Sequence, residues 1–359
     1  MPLDPQAKAF LAGVEASGAP PLHELSPEDA RAATMAITEL IGPGPHVATV
    51  EDFRIATTGG DIGARRYEPD DAAGTILWIH GGGWVICDLD THDAVCRLLA
   101  TTSGCRVIAL DYRRAPEHPF PAPLEDCWDA LLAVAVANEW APLIIAGDSA
   151  GGNMAAACTL RARDRGGPEL AAQLLVCPVT DHDMTTASYR ERGSGPDLFI
   201  TAKDMEWLWS LYLPDPAARS VPDASPLRAE DFSDLPPAIV ITGEHDPLRG
   251  RRDRVRGAPG GGGRGGDPPP PREPVPRLLL VREPDRRRQR GRGMGGWRDP
   301  SADRGAGAPV GPPGRLIAEN YAGGSTPSSA ISVVGRAPFS PIRSGTVAPA
   351  ASRIRTISA

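Results

Sequence analysis

Gly147-Asp148-Ser149-Ala150-Gly151 sets one serine hydroxyl between glycines two places before it and two places after it. Glycines at those positions let neighbouring chain approach a sharp turn, and such a turn holds the serine in a strained conformation with its oxygen exposed. An apolar run, 143–146, precedes the motif, and a stretch with helical spacing, 153–165, follows it. A serine between a strand and a helix N-terminus is suited to attack on an acyl carbon, because the helix end favours the negative charge that develops. His80-Gly81-Gly82-Gly83-Trp84 follows a second apolar run, 75–79. Consecutive glycines leave backbone N–H groups unobstructed, which is what the oxyanion of acyl transfer requires. A glycine turn of purely structural use gives the same pattern. A phosphate loop is disfavoured, since no G-K-[ST] follows.

Both motifs need strands to present them. The runs 75–79, 107–110, 143–146, 174–177 and 238–242 are short, apolar and bounded by turn residues, which predicts buried strands of a mostly parallel sheet. Between them, 92–103, 122–137 and 153–165 have helical spacing. Strands alternating with helices predict a doubly wound α/β domain over 46–248, with its ligand site at the carboxyl ends of the strands. Residues 1–45 read as helical, with Ser26-Pro27-Glu28-Asp29 opening a helix over 29–41. An insertion at about 190–215 carries Trp207, Trp209 and Tyr212 on a helix over 202–211. These two segments are expected to form a cap over the strand ends; the alternative is two surface helices with no role at the site.

The chain has 359 residues and a net charge of −7. That figure hides two halves: residues 1–248 hold 17 Lys and Arg against 37 Asp and Glu, and residues 249–359 hold 21 against 8. The second segment also contains 20 Gly and 16 Pro, with low-complexity runs at 260–263, 268–271 and 286–288. Such a composition buries too little apolar surface to offset chain entropy, so 249–359 is expected to be a disordered tail. The arginine-rich run 286–292 would suit non-specific phosphate binding, but no aromatic residues interleave it, and no nucleic acid partner is expected. No window approaches a membrane span and no secretory signal is visible at the start. The six cysteines show no metal-ligand spacing, so free thiols in a reducing cytoplasm are expected, with no metal.

The two glycine motifs, with Asp111-Tyr112-Arg113-Arg114-Ala115-Pro116-Glu117-His118-Pro119 between them, closely resemble the hormone-sensitive-lipase-like family of bacterial esterases. The resemblance runs from about residue 40 to Arg249. It implies an α/β-hydrolase core with a helical cap, a small-molecule ester as substrate and no cofactor. It implies Ser149 as nucleophile and the N–H groups of Gly82, Gly83 and Ala150 as the oxyanion hole. By the same resemblance His80 holds its loop and is not the base, and Asp148 is a structural neighbour of the nucleophile. Glu244-His245-Asp246-Pro247-Leu248-Arg249, after the run 238–242, matches the segment whose aspartate orients the catalytic histidine. Asp246 is therefore assigned that role, with Asp181 and Glu244 as alternatives. His245 adjoins Asp246 in sequence and is poorly placed to be its partner.

A serine alcohol needs a general base at neutral pH. The family's base is a histidine in a His-Gly-Phe motif about thirty residues beyond the aspartate. The seven histidines here are His23, His46, His80, His92, His118, His182 and His245, and none follows Asp246. Reading each codon one base later offers an explanation. Residues 255–259 then encode Tyr-Ala-Ala-Arg-Leu, and 275–284 encode Phe-His-Gly-Phe-Phe-Ser-Phe-Ala-Asn-Leu for suitable third bases. The histidine codon straddles Pro276 and Arg277. A shift of frame near codon 249 thus accounts for both the lost base and the change in composition. The expected function is a serine carboxylesterase for short- to medium-chain esters, impaired as written. The alternative is a non-catalytic small-molecule-binding protein on the same fold.

Overall fold

The computed structural model describes residues 3–138, 142–195, 198–251, 329–335 and 353–358. The chain divides into two units, 1–264 with 327–359 and 265–326, and every described residue belongs to the first. Two helices open it, α1 (Pro5–Ala16) and α2 (Pro27–Ile41). The start of α2 is the predicted one: Pro27 occupies the first turn and the Ser26 hydroxyl accepts from Asp29 N–H. Then follow β1 (Thr49–Ile55), β2 (Ile62–Glu68), β3 (Thr75–Ile79), α3 (Asp93–Ser103), β4 (Arg106–Asp111), α4 (Ala122–Ala137), β5 (Leu143–Asp148), α5 (Ala150–Asp164) and β6 (Ala172–Val176). The insertion gives α6 (Ala187–Arg192) and α7 (Ala202–Tyr212), and β7 (Ala238–Gly243) returns to the sheet.

The sheet order is β1-β2-β4-β3-β5-β6-β7-β8-β9, the last two being Ser329–Gly335 and Arg353–Ser358. The five predicted strands are its parallel centre, β4-β3-β5-β6-β7. The β1–β2 hairpin was not predicted. Its strands carry charges on both faces, where Asp52 pairs with Arg65 and Glu51 with Arg66 across the ladder. Only every second or third residue, such as Ile62, Ala64 and Tyr67, is buried. At the other edge β8 and β9 pair antiparallel beyond β7. The average composition of 249–359 hides them, yet Ile331, Val333, Val334, Ile354, Thr356 and Ile357 are β-branched and suit extended chain. The expectation of disorder for the rest of the tail, and the shifted reading of 255–284, fall outside the described residues.

Every residue of β3 is buried, as a central strand covered on both faces should be. One face packs Leu77, Ile79, Leu110 and Ile145 against Leu124, Leu131 and Met154 of the helices. The other packs Ile76, Trp78, Val107 and Ala109 against Cys96 and Ala100 of α3. Helix α5 is buried from Ala150 to Ala162, and its small side chains let it lie close to the sheet. No described helix is long and apolar enough to cross a membrane. All six cysteines are free thiols.

Candidate active site

Ser149 is the single residue between β5 and α5, with φ 51° and ψ −114°. A non-glycine residue in this region is strained and persists only where its surroundings fix it. Here they do. Ser149 N–H donates to Val176 O at 2.8 Å, and Ser149 O accepts from Asn153 N–H and Val179 N–H, each at 3.0 Å. A Cβ on Gly151 would lie 1.9 Å from Ile79 O, and one on Gly147 would lie 2.5 Å from the Gly151 carbonyl carbon. Both flanking glycines are therefore required by contact. The helix starts at Ala150, three residues earlier than its spacing suggested, so the serine heads the helix directly. Its hydroxyl makes no hydrogen bond among the described residues.

The glycine loop lies against this turn. Gly81 N–H donates to Asp148 Oδ1 at 2.9 Å. Gly82 and Gly83 have φ of 97° and 57°, and a Cβ on Gly83 would lie 2.3 Å from Leu208 Cδ1 of α7. Gly82 O accepts from Val85 N–H and Ile86 N–H at 3.0 and 2.9 Å, closing a tight turn. The N–H groups of Gly82 and Gly83 themselves donate no hydrogen bond among the described residues. Trp84 also has positive φ, 64°. Its fully buried ring stacks on Tyr212 at 4.2 Å and tilts against Trp209 at 4.5 Å, which offsets the strain.

Helix α7 thus packs directly on the loop. It also meets the N-terminal segment, where the Asp204 carboxylate accepts from His23 N–H at 3.1 Å and lies 2.6 Å from His23 Nδ1. Thr201 and Asp204 form a capping box that starts the helix.

His80 is buried beneath the loop. Its Nδ1 is 2.7 Å from Gly81 O, and its ring stacks on Tyr112 at 4.3 Å. Burial, aided by neighbouring His92, pushes its pKa down to about 3, so it is a neutral fixture. His92 was not singled out in the sequence, yet its Nε2 lies 3.1 Å from Asp148 Oδ1. Burial works against the charged form of each partner. The attraction between them outweighs it, raising the His92 pKa and lowering that of Asp148. One carboxylate oxygen therefore holds both the glycine loop and α3. Nothing in the spacing of His92 and Asp148, 56 residues apart, could have shown this.

Asp246 lies in the turn that follows β7. Its Oδ1 accepts from Leu248 N–H at 2.8 Å, and its O accepts from Arg249 N–H at 3.1 Å. The Cys177 thiol donates to its carboxylate; burial first, then the Asp246 charge, push that thiol up to about 12. Cys177 N–H in turn donates to Ile241 O at 2.7 Å. Asp181 is instead engaged by Arg228 Nε at 2.8 Å, and Glu244 O accepts from Arg249 Nη1 at 2.8 Å. His245 Nε2 is buried without a hydrogen-bond partner among the described residues. No group of His, Cys, Asp or Glu placed to hold a metal occurs among the described residues.

The family model described as alpha/beta hydrolase fold matches residues 76–257, ending close to where the composition changes. A carboxylic ester hydrolase of Mycobacterium tuberculosis is 40% identical over 233 residues, covering 61% of this chain and 61% of that protein. An arylesterase of Saccharolobus solfataricus is 32% identical, covering 69% and 83%. Among solved structures, a hyperthermophilic esterase from Pyrobaculum calidifontis superposes with a TM-score of 0.67 at 37% identity, covering 72% of this chain and 85% of that one. The chain spans only 61% to 65% of the length of three mycobacterial relatives.

Proposed function

This chain belongs to the alpha/beta hydrolase fold family, and from that premise we propose that it is a serine carboxylesterase for short- to medium-chain esters. Ser149 Oγ attacks the ester carbonyl, the alcohol leaves, and water releases the acid from the acyl-enzyme. The N–H groups of Gly82, Gly83 and Ala150 stabilise the oxyanion, and Asp246 is the triad acid. The observation that carries this reading is the strained turn at Ser149 with the glycine loop tied to it through Gly81 N–H and Asp148. The relatives named as esterases favour the ester as substrate. The free thiols favour a reducing compartment such as the cytoplasm.

The same reading makes the chain as written a poor enzyme, because no histidine follows Asp246. Removing the base from a serine hydrolase lowers kcat on the order of a million-fold. We attribute the loss to a shift of frame near codon 249. Hydrolysis of p-nitrophenyl butyrate should be barely above background for this chain, and restoring the frame from codon 250 should recover it. Robust turnover by the unshifted chain, abolished by Ser149→Ala, would overturn the account of the missing base.

The missing histidine and the unbonded Ser149 hydroxyl also favour a second reading, a non-catalytic binding protein on this scaffold. Covalent labelling of Ser149 by an organophosphonate separates the two, since a binding pocket would leave it unlabelled.

A further inference from the structure

We propose that Arg31 of α2 is a positioning residue that fixes the glycine loop carrying Gly82 and Gly83. The carbonyls of that loop show why. Gly82 O is satisfied inside the turn, by Val85 N–H and Ile86 N–H. Trp84 O accepts from Ala115 N–H at 2.9 Å, and Cys87 O accepts from Arg114 Nη1 at 2.6 Å. Val85 O accepts from Arg31 Nε at 2.8 Å. Among these carbonyl partners, Arg31 is the one that reaches in from the N-terminal segment.

The guanidinium is itself held in one orientation. Its Nη2 donates to Ala115 O at 2.9 Å and to Glu117 Oε2 at 2.7 Å, and its Nη1 donates to Glu117 Oε1 at 2.8 Å. A planar fork bonded on both edges transmits a fixed geometry in a way that an ammonium on a flexible stem does not. The hydrogen bonds from Arg31 hold the Glu117 pKa down to about 2, in keeping with a persistent pair. Val85 is fully buried and Arg31 is a quarter exposed, so the clamp works at the margin between cap and core. Arg31 therefore sets the height of the turn at 82–86, and with it the place of the two N–H groups that the oxyanion reading needs.

The positional claim rests on that reading only for its catalytic consequence, so two measurements are made. Amide hydrogen exchange is followed in the full chain, in Arg31→Met and in Glu117→Gln. In Arg31→Met the amides of Val85 and Ile86 should exchange about tenfold faster, the scale of a lost charged hydrogen bond. Those of Leu77 and Trp78 in β3 should be unchanged. Glu117→Gln, which leaves the bonds to Val85 and Ala115, should give a smaller rise at the same two amides, and Arg31→Lys should fail to restore the wild-type rates. Unchanged exchange at Val85 and Ile86 in both variants overturns the clamp. A uniform rise that includes β3 overturns it too, since Arg31 would then be merely structural.

Phosphonylation of Ser149 in the frame-restored chain supplies the second readout. Arg31→Met should lower the bond-forming rate about tenfold and leave reagent affinity unchanged. A rate unchanged despite faster exchange would overturn the positioning role. A wild-type chain that does not label at all would instead count against the esterase reading, and exchange would still decide the clamp.

Discussion

Around Ser149 the backbones of β3, β5 and α5 come within contact distance, whereas the turn that carries Asp246 is held by side chains from neighbouring elements. The first region is fixed from several directions: Ile79 O and His80 O press on Gly151, Val176 O holds Ser149 N–H, and Asp148 ties in Gly81 and His92. The second has a short turn, Pro247–Arg251, with the Cys177 thiol, just after β6, against the Asp246 carboxylate and the Ser188 hydroxyl of α6 donating to Pro247 O. Both regions sit at the carboxyl ends of parallel strands, where such a fold collects its chemistry. The region around Ser149 is closed by β3, by α5 and by the end of β6. The region around Asp246 is where the sequence changes character and where the family match ends.

The sharpest way to break this contrast is Gly151→Ala. The new methyl carbon would lie 1.9 Å from Ile79 O and 2.6 Å from His80 O, backbone atoms at the end of a fully packed strand and just beyond it. Neither can swing aside as a side chain would. The expected cost is about 3 kcal/mol, the upper end for an overpacked core, read as a lower urea midpoint at unchanged slope. A midpoint equal to that of the wild type would mean that the turn is far softer than its contacts require.

The same contrast explains what could be read from the sequence. The parallel strands, the helix from Ser26-Pro27 and both glycine motifs follow from local pattern, because apolar runs, caps and glycines act over a few residues. The aromatic stack of Trp84, Trp209 and Tyr212 was visible only in part. Trp209 and Tyr212 stood out as a cluster, but their partner lies more than a hundred residues earlier. His92 with Asp148 and Arg31 with Val85 were not legible at all, since each pair is brought together by the crossovers of the sheet. The β1–β2 hairpin was missed because its charged faces lack an apolar run. The strands β8 and β9 were missed because they are short islands in a Gly- and Pro-rich segment.

A subtler test uses pH, because the region around Ser149 contains a half-buried ion pair. The His92 pKa is raised in the fold, so its contribution is fully present below its ordinary value of 6.5 and is lost as pH rises through the raised one. The Asp148 pKa is lowered, so its contribution is present above 3.8 and is lost as pH falls through the lowered value. The pair is therefore at full strength between those two ordinary values and weakens on the alkaline side first. Asp148→Asn keeps an acceptor for Gly81 N–H and removes only the charge. Its thermal midpoint should fall below that of the wild type near pH 5.5, and the gap should shrink above pH 6.5. A gap constant from pH 5 to pH 9 would show that His92 and Asp148 do not interact through charge.

The smallest effect, and one of opposite sign, is expected at Gly243, the last residue of β7 before the Asp246 turn. Among the described residues a Cβ there would meet only Asp246 Cβ, at 3.5 Å, which is ordinary van der Waals contact. Gly243 is not among the residues with positive φ, so alanine fits its backbone without strain. Replacing glycine by alanine at such a site narrows the unfolded ensemble and stabilises by about 0.4–1 kcal/mol. Gly243→Ala should therefore raise the urea midpoint slightly, while Gly151→Ala lowers it steeply, although both glycines adjoin residues of the same proposed triad. The Asp246 N–H to Gly243 O bond, already long at 3.4 Å, involves backbone atoms and survives the change. A marked loss of stability in Gly243→Ala would show that the turn around Asp246 is packed as tightly as the turn at Ser149, and the contrast between the two regions would fail.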